Sequence, residues 1–181
     1  MRLLRNLPGV VAALSLSCSH LPAQKGDAAM AESPWELRLS VTDGIKLRVG
    51  LHNRSRTAQV YLYDFNIQPT ELILIAPSGK RIEPFDSRSL EKFDNTVYRE
   101  MYRQAAPGSN VILTEASLES GSNLRWGPFE FTNLPAGAYR AQAVWHSKTN
   151  HYYDPKSKRT GVVKDVWLGA VTSNTVEVTV R

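Results

Sequence analysis

Between residues 35 and 51 the chain alternates with a period of two. Trp35, Leu37, Leu39 and Val41 are interleaved with Glu36, Arg38 and Ser40, and Ile45, Leu47, Val49 and Leu51 with Lys46, Arg48 and Gly50. This pattern predicts two half-buried strands in a hairpin, because successive strand residues face opposite sides of a sheet. The join can be deduced from the faces. A two-residue Asp43-Gly44 loop would oppose Val41 to Lys46 and mix apolar with polar. A three-residue loop of Thr42, Asp43 and Gly44 opposes Val41 to Ile45, Leu39 to Leu47 and Leu37 to Val49, with Gly44 as the left-handed residue of a bulge. The same register sets Arg38 opposite Arg48, a repulsion tolerable on an exposed face.

Similar signals continue along the chain. Residues 60–65 (VYLYDF) predict a third strand, and 71–76 (ELILIA), apolar on both faces, a central one. Pro77-Ser78-Gly79 is a turn signal. Leu90, Phe93, Val97 and Met101 fall near helical spacing, so 88–104 reads either as one short helix or as an irregular crossover ended by Pro107-Gly108. Strands resume at 111–118 and around Phe129 and Phe131. Tyr139, Ala141, Ala143 and Trp145 share one face, and Val176, Val178 and Val180 point inward in the last strand. Seven to nine short strands separated by turns argue for an all-β, antiparallel sandwich over residues 34–181.

Leu134-x-x-Gly137-x-Tyr139 resembles the tyrosine corner of immunoglobulin-like and fibronectin type III sandwiches, which implies an Ig-like β-sandwich. In that motif the tyrosine hydroxyl bonds to backbone nearby, here expected near Leu134. Trp167-x-Gly169, followed by Ser173-Asn174-x-Val176, is similar to the last strands of bacterial envelope Ig-like modules. The order "VGLHNRS", "APSGKRI", "APGSNVIL", "LPAGAYRAQA" resembles the sandwich of bacterial intracellular proteinase inhibitors. These likenesses rest on structural residues and bear on fold rather than function.

The first 23 residues read as a secretory signal peptide. Arg2 and Arg5 precede a mostly apolar run at 7–16, too short for the roughly 20 residues that span a bilayer. Ser15-Leu16-Ser17-Cys18 resembles the lipobox of bacterial lipoproteins, which implies a lipid anchor on Cys18. Leu21-Pro22-Ala23 offers an ordinary cleavage site instead. Residues 24–33 (QKGDAAMAES) are polar and aperiodic, as in a tether. Either cut leaves the folded domain without a thiol, because Cys18 is the only cysteine. Disulfides, a cysteine nucleophile and thiolate zinc sites are thereby ruled out for that domain. Loss of Arg2 and Arg5 takes Lys+Arg from 22 to 20 against 17 Asp+Glu, a net charge of +3 that gives nucleic-acid binding little support.

Signatures of catalysis are missing from the sequence: it has no HExxH, no Gly-x-Ser-x-Gly and no EF-hand loop. Ser78-Gly79-Lys80 lacks the upstream glycine of a phosphate loop and reads as a turn. The stretch "WHSKTNHYYDPKSKR" (145–159) is the strongest candidate for a site. Its histidines, His146 and His151, stand five apart, and four cations nearby oppose a metal, so no metal or cofactor is expected. Two readings remain: a solvated connection, or a binding loop formed by His151, Tyr152, Tyr153, Lys156, Lys158 and Arg159. Tyr98 and Tyr102 would lie one turn apart on a helix and edge the core. The expectation is a non-catalytic, extracytoplasmic binding or accessory module, an outer-membrane lipoprotein or a periplasmic or secreted protein. Its partner would be an envelope protein or a glycan, with a proteinase inhibitor or a carbohydrate-binding module as alternatives.

If Cys18 carries lipid, Cys18→Ala should move the protein from the membrane fraction to the soluble one. Each buried methylene of the acyl chains is worth about 0.8 kcal/mol, so their loss is decisive. Unchanged fractionation, with Gln24 as mature N-terminus, would sink the anchor.

Overall fold

The computed structural model describes residues 32–42, 46–63, 70–87, 96–119 and 122–181. The leader, including Cys18, and the 43–45 join lie outside them, as does most of the proposed tether. Among the described residues, fifteen strands form antiparallel sheets. They are β1 (Trp35–Thr42), β2 (Lys46–Asn53), β3 (Gln59–Leu62), β4 (Glu71–Ile75), β5 (Arg81–Ile82), β6 (Phe85–Asp86), β7 (Tyr102–Ala105) and β8 (Asn110–Glu119). There follow β9 (Asn123–Trp126), β10 (Phe129–Phe131), β11 (Gly137–Ser147), β12 (His151–Asp154), β13 (Arg159–Val162), β14 (Gly169–Thr172) and β15 (Val176–Val180). The expected count of seven to nine is exceeded because the chain breaks its path into short pieces, several of only two to four residues.

The largest sheet among the described residues has the order β1-β2-β8-β9-β10-β6 and the second β14-β11-β4-β5, while β3-β7 and β12-β13 form two-stranded sheets. The eleven-residue β11 organises the second sheet. Along one edge it pairs with β4, and along the other with β15 and then β14. Ser173 stands where β14 gives way to β15. Its N–H donates to Ala143 O (2.8 Å) and its Oγ accepts from Ala143 N–H (2.9 Å), so neither buried backbone group at the break is orphaned. Asn174 then reaches across to β1. Its Oδ1 accepts from Leu39 N–H (3.0 Å) and its Nδ2 donates to Leu39 O (2.9 Å), as a neighbouring strand would.

The core is the shared apolar face of these strands. Trp35, Leu37 and Leu39 of β1, Leu47, Val49 and Leu51 of β2, and Leu72 and Leu74 of β4 are buried. Tyr139, Ala141, Ala143 and Trp145 are buried together along β11, as their alternation predicts, with Val178 and Val180 beside them. Trp35 meets Trp145 edge to face at 6.0 Å, and Tyr61 meets Trp35 at 5.7 Å in the same manner. Polar groups inside are paired where the chain turns. Tyr139 Oη donates to Pro135 O (2.8 Å), one residue from the expected acceptor. Asn53, fully buried, donates through Nδ2 to the carbonyls of Thr57, Ala105 and Ala106 and accepts from Ser55.

Two expectations need correction. The β1–β2 register is displaced by two residues: Val41 opposes Leu47, Leu39 opposes Val49 and Leu37 opposes Leu51. A shift of two keeps the same faces together, and it places Arg38 opposite Gly50 and Arg48 opposite Ser40. The like-charge opposition disappears, and Arg38 pairs with Glu36 instead. The short helix near 88–104 is not borne out in its described part. Leu90 and Phe93 lie outside the described residues, whereas 98–105 form a β-bridge at Tyr98, a 3-10 turn at Arg99–Met101 and strand β7. Pairing partners at β3 and β12 outweigh the weak local preference for helix.

Trp145→Ala should cost about 3–5 kcal/mol in chemical denaturation, since it empties the contact between the two sheets. A midpoint equal to that of the unaltered protein would contradict the packing described.

Candidate recognition hairpin

The 145–159 stretch is not a structureless connection. After β11 ends at Ser147, the chain forms a hairpin of its own, in which β12 pairs with β13: His151 opposes Val162, Tyr152 Gly161, Tyr153 Thr160, and Asp154 Arg159. Its tip is built by local chemistry. Asp154 Oδ1 accepts from Lys156 N–H (2.9 Å) and Oδ2 from Ser157 Oγ (2.7 Å). Lys158 takes the left-handed conformation (φ 53°) that brings the chain back. The Ser157 hydroxyl, then the Lys156 amide, hold the Asp154 carboxyl below the ordinary aspartate range.

The hairpin is fixed at its base and along one edge. Val163 N–H donates to Asn150 O (2.7 Å) and closes the base. Tyr153 N–H donates to Val97 O (2.7 Å), and Tyr98 forms a parallel bridge to Tyr153. Tyr102 Oη donates to the carbonyls of His151 (3.0 Å) and Thr149 (3.2 Å). Burial pushes the Tyr102 hydroxyl pKa up. Tyr98 and Tyr102 therefore hold the hairpin rather than edge the core from a helix. Below the base, Trp167 stacks on Trp145 (6.2 Å, 21° between planes), so the chain is gripped by indoles before it leaves and after it returns.

The six residues proposed from sequence do not form one surface. Tyr152 turns to the face shared with Asp154, Arg159 and Gly161. Its ring covers Gly161 so closely that a Cβ there would lie 2.4 Å from the ring, and the Arg99 guanidinium sits 5.8 Å from the ring centre. Tyr152 is thus a structural residue of the hairpin. The opposite face carries His151, Tyr153, Thr160 and Val162, all exposed, with Tyr153 at 37% and Val162 at 54%. Lys156, Lys158 and Arg159 project from the tip and beside it, also exposed. Val162 is a contributor that sequence reasoning missed, because only the register with His151 puts it on the aromatic face.

His146 does not join His151. It is half-buried on β11, with Nε2 3.9 Å from Glu71 Oε2. Among the described residues no group of three His, Cys, Asp or Glu is placed to hold a metal ion. A second surface feature, an open concavity of about 510 Å³, lies over Lys46, Thr114, Glu115 and Arg125. Its charges answer one another: Glu115 pairs with Lys46 (3.0 Å) and Arg48, and Arg125 faces Glu130 (3.9 Å). The hairpin is the stronger candidate. Comparison with family models, curated proteins and solved structures returns no match.

The tip should loosen in acid. The Asp154 pKa is lowered in the folded hairpin, so the bonds it accepts are fully present above the unfolded value and are lost as pH falls through the folded one. Titration of the Lys156 amide resonance should give a midpoint below the 3.8 of an unperturbed aspartate. A midpoint at or above that value would contradict the turn.

Proposed function

We propose that this protein is a non-catalytic binding or accessory module of the cell envelope, with an Ig-like sandwich as scaffold and the β12–β13 hairpin as recognition element. The observation that carries this reading is the contrast within the hairpin. One edge and the base are fastened by tyrosines and backbone bonds, while an aromatic and β-branched face and three cations remain in water. Exposed tyrosine and arginine are residue types that protein interfaces favour, and lysines beside them steer an acidic partner toward the surface. A proteinase inhibitor would present an extended loop to its target, whereas this tip is folded onto Asp154. A leader ending at Cys18 would keep the module at the membrane surface outside the cytoplasm.

The combined replacement Tyr153→Ser, Lys156→Ser and Lys158→Ser tests the reading. Tyr153 and Lys156 are ordinary exposed positions, worth less than about 0.5 kcal/mol each, and at the left-handed Lys158 one residue with a Cβ replaces another, so thermal unfolding should hardly move. Recovery of the bound partner in affinity capture from the native envelope should fall by about tenfold or more, because aromatic and cationic anchors dominate such interfaces. Undiminished capture would show that the hairpin is only a connection. Tyr152 is left in place, since its loss would disturb Gly161 and Arg99.

A further inference from the structure

The hairpin has an edge as well as a face. Tyr153 N–H points to Val97 and Val163 N–H to Asn150. Backbone groups of successive strand residues point to opposite edges, so Asn150, Tyr152 and Asp154 address β13, while His151 and Tyr153 point the other way, Tyr153 N–H to Val97 O and His151 to Thr149 Oγ1 and the Tyr102 hydroxyl. Applied to β13, the same alternation turns Arg159, Gly161 and Val163 toward β12. The N–H and C=O of Thr160 and of Val162 therefore point away from the hairpin, and no other described strand pairs with that edge. Both residues are exposed.

Resting on the recognition-hairpin reading, we propose that β13 accepts an extended acidic polypeptide as an added antiparallel strand, the more stable of the two pairings. Four outward backbone groups supply its hydrogen bonds, and the side chains dictate its pattern. On one face an added strand would lie beside Thr160 and Val162, with Tyr153 one strand further in, and this favours apolar residues. On the other face it would lie beside Arg159, with Arg99 against Tyr152 behind it, and this favours carboxylates. Asp154, the carboxylate on that face, is already occupied by Lys156 N–H and Ser157 Oγ. Lys156 and Lys158 at the tip extend the positive field. The same cations oppose pairing of β13 with a second copy of itself, the ordinary hazard of an open edge. The partner strand thus alternates acidic and apolar residues.

The test uses the full-length protein and eight-residue synthetic peptides. A peptide alternating Glu and Val should bind, slow hydrogen exchange at the Thr160 and Val162 amides, and weaken as salt is raised. A peptide alternating Lys and Val should not bind. Two further Glu-Val peptides, N-methylated at the odd or at the even positions, decide the mode: one should lose binding and the other keep it, because only one set of amides can face β13. Lys156→Ser with Lys158→Ser should weaken the Glu-Val peptide by about three- to tenfold. Absence of binding, retention by both N-methylated peptides, or equal binding of the Lys-Val peptide would each overturn the proposal. These failures would leave the recognition reading standing so long as the triple hairpin variant still loses its envelope partner. If that variant keeps its partner, the reading itself falls.

Discussion

The contact of Trp35 with Trp145 is where scaffold and site meet. Trp35 opens β1 in the first sheet, and Trp145 lies near the end of β11 in the second, so their edge-to-face packing at 6.0 Å joins the sheets at one end of the core. Trp167 then stacks on Trp145. Because Trp145 precedes the hairpin and Trp167 follows it, the stack fixes the spacing of the two chain ends from which the hairpin grows. Gly169 is part of this arrangement. A Cβ there would come within 2.4 Å of the Trp167 ring, so the glycine lets the indole lie flat over β14 on its way to Trp145.

The scaffold was legible in the sequence wherever one face of a strand is buried and the other wet. The runs at 35–51 and 137–147 alternate cleanly, and every apolar residue named on β11 is buried. What alternation cannot reveal is register, because a slip by two residues keeps the faces matched. The β1–β2 pairing shows this directly: the faces were right and the partners were two residues away. The stretch near 97–105 failed for a different reason. Val97 and Met101 fit a helical spacing, yet Tyr102–Ala105 also fits a strand, and the decision belongs to β3 and β12, which are far from it in sequence.

The hairpin was legible only as a collection of residue types. His151 to Val162 carries no apolar alternation, since neither of its faces belongs to the core, and the period-two signal is therefore absent. A signal was nonetheless present in pairs: Asp154 with Ser157 marks a turn, and Gly161 lies nine residues after Tyr152. The glycine makes sense only as the floor under the tyrosine ring. The two adjacent tyrosines, equivalent in the sequence, take opposite roles because a strand sends neighbours to opposite sides. Tyr152 becomes internal to the hairpin, and Tyr153 becomes its surface.

This division makes stability and recognition separable. The Asn150–Val163 bond and the Trp145–Trp167 stack close the hairpin off from the core, so changes at Lys156, Lys158 or Tyr153 need not propagate inward. Changes at Tyr102, Arg99 or Gly161 would, because these residues determine how the hairpin sits on the segment behind it. On the proposed reading, a scaffold arranged in this way can alter what its tip binds at little cost to folding. The same arrangement explains why the outer edge of β13 can stay open. Short length and flanking cations deter pairing with like chains, and those same cations leave an acidic strand as the complementary occupant.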